Sequence, residues 1–138
     1  MAETMTTPAR TAAEDEVAAT VDQMYAAWRD RDEARIRTFF SDADSLLLWG
    51  TDQWERIVGR AEADRDFRKW IATCPPWVSI DVKRRTMGER EGLAWVADEV
   101  IGQWARGAEQ GADAYRTTTI WEKRNGRWVL VHCNFANG

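Results

Sequence analysis

Two adjacent carboxylates, Asp98 and Glu99, stand inside the run Ala94-Trp95-Val96-Ala97-Asp98-Glu99-Val100-Ile101. Successive side chains of an extended chain point to opposite faces, so one of the pair should point inward. A carboxylate held among apolar groups resists ionisation and can serve as a general acid or base. Asp98 shares its side with Val96, Val100 and Trp104, whereas Glu99 shares its side with Trp95 and Ile101, and alternation leaves the choice open. An ion pair with Arg116 or Arg106 is the competing structural fate of the inward group. Arg116 lies in a β-rich run with Thr118, and a planar guanidinium beside a hydroxyl suits a ligand carboxylate or other oxyanion. His132 is the lone histidine, a residue type often used as a general acid or base. In a strand, such a residue more often packs or hydrogen-bonds than catalyses. Cys133 has no neighbouring base, which argues against a catalytic thiol.

The bulk composition narrows the alternatives. With 138 residues, 44% apolar and 30% charged, the chain has the size and make-up of one globular domain. The net charge is −4, and the basic residues form no stripe, which argues against nucleic acid. One histidine and two distant cysteines, Cys74 and Cys133, offer no metal-ligand spacing. No cofactor motif is present. No apolar stretch has the length of a signal peptide or membrane span, so a cytoplasmic location is expected, with no membrane partner. The nine tryptophans need a core, a pocket wall or an interface. Tyr25, Trp28, Phe40, Trp49, Trp54, Trp70 and Trp104 are candidates for an aromatic wall, with Trp54 at a cavity mouth after the Gly50-Thr51-Asp52 turn.

These side chains must be positioned by elements that the pattern also predicts. Residues 1–10 read as a disordered arm and 11–138 as one domain. Val17, Val21, Met24, Tyr25 and Trp28 recur at helical spacing, and Asp32 caps a short second helix carrying Ile36, Phe39 and Phe40. Leu46 to Trp49 is a short strand, 54–59 a second extended piece, and 60–73 a third helix ended by Cys74-Pro75-Pro76. Trp77 to Thr86 alternates with Val78, Ile80 and Val82 on one side, and a turn follows at 88–92. Leu93 to Trp104 is a long strand, and 105–114 reads as a Gly- and Ala-bearing loop. Helices segregated ahead of consecutive strands indicate an α+β fold, a curved antiparallel sheet with helices over one face.

The last two strands form a hairpin about Asn125-Gly126, a dipeptide suited to a type I′ turn. A two-residue turn pairs Arg124 with Arg127, Ile120 with Val131, Thr118 with Cys133 and Arg116 with Phe135. Arg116, Thr118, Ile120, Cys133 and Phe135 then share a face assigned to a cavity. Thr117, Trp121, Leu130, His132 and Asn134 share the other, where Trp121, Leu130 and Trp128 suit a partner subunit. A bulge in the turn would instead send His132 and Asn134 inward.

Trp49-Gly50-Thr51-Asp52-Gln53-Trp54 with Gly59-Arg60, Gly92-Leu93-Ala94-Trp95-Val96-Ala97, and Arg116-x-Thr118 ahead of Asn125-Gly126-Arg127-Trp128 resemble the nuclear transport factor 2-like superfamily, in its SnoaL-like and ketosteroid-isomerase-like group. The resemblance spans about residues 15 to 136. It implies a cone-shaped sheet enclosing one apolar pocket, commonly in a homodimer. It implies a small, mostly apolar ligand. The residues read above as its site are Tyr25, Trp28, Trp49, Trp54, Trp104, Arg116, Thr118, Cys133 and Phe135, with Arg116 and Thr118 suiting a polar or anionic end. Isomerase-type members carry a carboxylate base where this chain has Leu46-Leu47-Leu48-Trp49, and an acidic donor near Thr118. Members include isomerases, dehydratases, cyclases and binding modules, so the resemblance carries a fold rather than a reaction. Binding, catalysis through Asp98 or Glu99, and dimeric association are the three functions it leaves open.

Overall fold

The computed structural model describes residues 9–138, and the expected N-terminal arm lies almost wholly outside them. Helix α1 spans Ala12–Arg29 and buries Val17, Val21, Met24, Tyr25 and Trp28 along one stripe. A capping box starts it: Thr11 accepts from the Glu14 amide, while the Glu14 side chain accepts from the Thr11 amide. Helix α2, Glu33–Arg37, is a short turn capped by Asp32. Helix α3, Arg60–Thr73, buries Ala63, Phe67, Trp70 and Ile71, and ends before Pro75-Pro76.

The strands are β1 Leu47–Trp49, β2 Arg56–Val58, β3 Trp77–Arg90, β4 Leu93–Arg106, β5 Glu109–Arg124 and β6 Arg127–Asn137. They form one open sheet in the order β2-β1-β6-β5-β4-β3. All neighbours are antiparallel except β1 and β6. The helices cover the inner face, where Ala94, Val96, Trp121, Trp128 and Leu130 are buried with Phe67 and Met24. Each large apolar side chain buried there stabilises the fold by about 1.5–3 kcal/mol relative to exposure.

Three register shifts decide which residues reach that inner face. The first lies between Trp77 and Ser79, the second between Val82 and Arg84. The third lies opposite the Ile120/Trp121 step, where β6 carries the extra residue Val131. Each bulge adds a residue to one strand and reverses the alternation beyond it. Val78, expected on the same side as Ile80 and Val82, is therefore turned away from them and 61% exposed.

The Asn125-Gly126 turn itself has both residues at positive φ, 51° and 77°, as a type I′ turn requires. Expected pairing holds from Arg124↔Arg127 to Trp121↔Leu130. Beyond Val131 it slips: Ile120 meets His132, Thr118 meets Asn134, Thr117 meets Phe135 and Arg116 meets Ala136. Most of the expected 105–114 loop is strand, since Ala105 to Arg106 pair with Gln110 and Glu109 across a tight turn at Gly107. Gly111 gives room for the Trp104 ring lying across it.

Candidate functional site

Asp98 is the inward carboxylate, 2% exposed, while Glu99 points outward and is exposed. The partner of Asp98 is neither Arg116 nor Arg106. Arg85 stands directly opposite on β3 and grips both carboxylate oxygens, Nε to Oδ1 at 2.8 Å and Nη2 to Oδ2 at 3.1 Å. The Val82/Arg84 bulge brings Arg85 inward in place of Arg84. Arg85 Nη2 also reaches Asp22 Oδ1 on α1 at 2.8 Å. Tyr25 donates its hydroxyl proton to Asp98 Oδ2 at 2.7 Å. With that proton committed, the Thr117 hydroxyl, also 2.7 Å away, donates to the Tyr25 oxygen. Burial, followed by the Asp98 charge, pushes the Tyr25 phenol well above its ordinary pKa.

Tyr25 and Thr117 of this network line a cavity of about 280 Å³ between the helices and the inner face of the sheet. Its apolar wall is Trp28, Trp70, Trp77, Tyr115, Phe135 and Ile80. Phe135 meets the edges of Trp28 and Trp70 at ring separations of 5.7 and 6.4 Å. Trp77 packs perpendicular to Tyr115 at 5.5 Å. Gly102 lets the Trp77 ring lie against the β4 backbone, because any side chain there would collide with it. The Nε1 of Trp28 is buried and has no hydrogen-bond partner among the described residues.

Glu55, in the turn before β2, lines this cavity together with Asp52. It is 8% exposed. Its Oε1 accepts from the Asp52 amide at 3.0 Å and from the Thr51 hydroxyl at 3.4 Å. Gly50 leaves room for it, since a Cβ there would strike the Glu55 side chain. Burial pushes the Glu55 carboxyl above its ordinary pKa, and the Asp52 charge adds to the shift. Burial, with the Glu55 charge next, raises the Cys74 thiol to about 11.

Of the residues expected to bind ligand, Tyr25, Trp28 and Phe135 line the cavity. Arg116 and Thr118 are exposed on the outer face, because β5 turns Tyr115, Thr117, Thr119 and Trp121 inward. Trp49 is 43% exposed and meets the His132 ring edge-on at 5.5 Å. Trp54 is 45% exposed beneath Lys69 Nζ, 4.8 Å from its ring centroid. Trp104 donates to Asp113 outside the cavity. Cys133 is inward but sealed in the core, where burial holds its thiol at about 12. His132 pairs with the Leu47 carbonyl at 3.0 Å on the outer side, and Asn134 lies on that side opposite Thr118. Trp121 and Leu130, assigned to a partner subunit, are 0% and 1% exposed in the core of the single chain. The bulge at Val131 lies beyond the turn and explains both outcomes. It keeps Leu130 inward ahead of it and Cys133 and Phe135 inward after it, which no uniform alternation can do.

Among the described residues no group of three or more histidine, cysteine or acidic side chains converges as a metal site, and no helix is long and apolar enough to cross a membrane.

A curved, open six-stranded sheet with helices over its inner face is the nuclear transport factor 2-like architecture. The chain belongs to the SnoaL-like domain family, which matches residues 17–135. An NTF2-like protein of unknown function from Pseudomonas putida superposes with a TM-score of 0.77 at 20% identity, covering 92% of this chain and 87% of that one. A nuclear transport factor 2 superfamily protein from Salmonella enterica gives 0.74 at 11% identity, covering 90% and 89%. The association domain of Caenorhabditis elegans CaMKII gives 0.73 at 18% identity, covering 91% and 96%. At these identities the likeness is one of fold. No curated protein matches the chain.

Proposed function

We propose that the protein binds a small, mostly apolar molecule with a polar end in the cavity behind Tyr25, one ligand per subunit. The observation that carries this reading is the cavity itself, walled by five aromatic rings and bordered by Glu55, Tyr25 and Thr117. Apolar burial supplies most of the affinity in such a site, and the few polar groups fix orientation. Residues 11–138 act as one binding domain. The free thiols Cys74 and Cys133 suit the reducing cytoplasm. A thermal-shift screen of small aromatic compounds tests the reading. Ligands should raise Tm with saturable concentration dependence; a screen in which none does so at millimolar concentration would overturn it.

The subunits pair through the outer sheet face. Leu93 and Trp95 on that face are 48% and 45% exposed, an apolar surface that a second copy would cover. An enzyme of isomerase, dehydratase or cyclase type is the second reading, favoured by one observation: Glu55 brings a carboxylate of raised pKa to the cavity wall. Asp98 suits that role less, because Arg85 and Tyr25 occupy both of its oxygens.

A further inference from the structure

The charged side chains that line the cavity have one sign. Among the described residues no lysine, arginine or histidine lines it, while Asp52 and Glu55 do. Glu55 makes no salt bridge among the described residues, and its Oε2 receives no hydrogen bond there, although the side chain is 8% exposed. A buried carboxylate of this kind is usually paired. Arg31, which stands beside Cys74, is occupied with the carbonyls of Ile71, Cys74 and Pro75. Thr117 spends its proton on Tyr25 and so presents oxygen lone pairs. The rings of Trp70, Trp77, Tyr115 and Phe135 line the same cavity, and aromatic faces attract cations electrostatically.

We infer that the cavity takes a small organic cation, a protonated or quaternary amine, seated against the aromatic wall with its charge toward Glu55. The inference rests on the cavity being a ligand site and specifies the ligand's charge. It reverses the expectation of an anionic end, which depended on Arg116; that residue lies on the outer face. At about 280 Å³ the cavity sits near the lower limit of the ~300–1,000 Å³ common for small-molecule sites, so the amine is correspondingly small. An ammonium group would give the Glu55 carboxylate the counter-charge it lacks, and the rings would replace part of the cation's hydration shell.

Three probes of one size and different charge decide the matter by isothermal titration calorimetry at neutral pH: benzylamine as its cation, benzyl alcohol and benzoate. Benzylamine should bind about tenfold or more tightly than benzyl alcohol, with benzoate weakest. Glu55→Gln keeps the shape of the side chain and should erase most of the difference between amine and alcohol. Glu99→Gln, on the outer face, should change none of the three affinities. If benzyl alcohol or benzoate matches the amine in the unmodified protein, or the preference survives Glu55→Gln, the cation assignment falls while the cavity remains a ligand site. If none of the three binds, the ligand-site reading falls with it.

Discussion

Two buried carboxylates in this chain have opposite circumstances. Asp98 is held by Arg85, whose side chain is itself only 7% exposed. Asp98→Asn would leave that guanidinium without its main counter-charge. Loss of about 3–5 kcal/mol in urea unfolding is expected, whereas Glu99→Gln should change stability by less than about 0.5 kcal/mol. Glu55 has no cationic partner among the described residues, and its pKa is raised above the ordinary 4.5. Such a group holds its proton more tightly folded than unfolded. Stability should therefore fall as pH rises from about that ordinary value through the raised one, and level off above it. Unfolding free energies of Glu55→Gln across this range should lack that fall. Benzylamine affinity should climb over the same window as Glu55 ionises. The other charged or titratable groups around it are Asp52, Cys74, Tyr115 and Arg31; Cys74 at about 11 and Tyr115 at about 12 stay neutral throughout. Glu55 escaped recognition in the sequence because it occupies an irregular turn, where no periodicity marks a side chain as inward. The hint was Gly50, five residues earlier, whose missing side chain makes its space.

At the scale of elements, helices were legible and strand faces were not. The stripes of α1 and α3 follow an uninterrupted 3.6-residue period, so their buried residues were readable directly. The strands are interrupted by bulges at positions with no distinctive residue type, and each bulge reverses the faces beyond it. Trp77, Arg85 and Phe135 all reach the inner side beside or beyond such a shift. Part of the cavity wall, Trp77 and Phe135, thus stands where alternation fails. Gly102 tests this geometry. In Gly102→Ala the new methyl group would displace the Trp77 ring. A stability loss of about 1–3 kcal/mol is expected in denaturant unfolding, together with weaker benzylamine binding. At the turn, Gly126 has φ 77°; Gly126→Ala should cost about 1 kcal/mol and leave binding intact.

For the whole molecule, the fold was recognisable because its order of elements and its hairpin signal survive local irregularity. The face expected to meet a partner subunit was misassigned, because the true orientation of β5 turns Trp121 inward with Leu130 opposite it. With Trp121 and Leu130 in the core, the outer face carrying Leu93 and Trp95 is the surface proposed for pairing. Light scattering coupled to gel filtration should give twice the chain mass, and Trp95→Arg should shift it toward the monomer while the isolated fold persists. The central claim is that the inner cavity is where a ligand sits, and the nine indoles report on it separately. In a proton–nitrogen NMR titration with small aromatic amines and alcohols, the indole signals of Trp28, Trp70 and Trp77 should move together and saturate. Those of Trp49 and Trp95 should stay in place. Movement confined to Trp49 and Trp95, or no movement at all, would contradict the account.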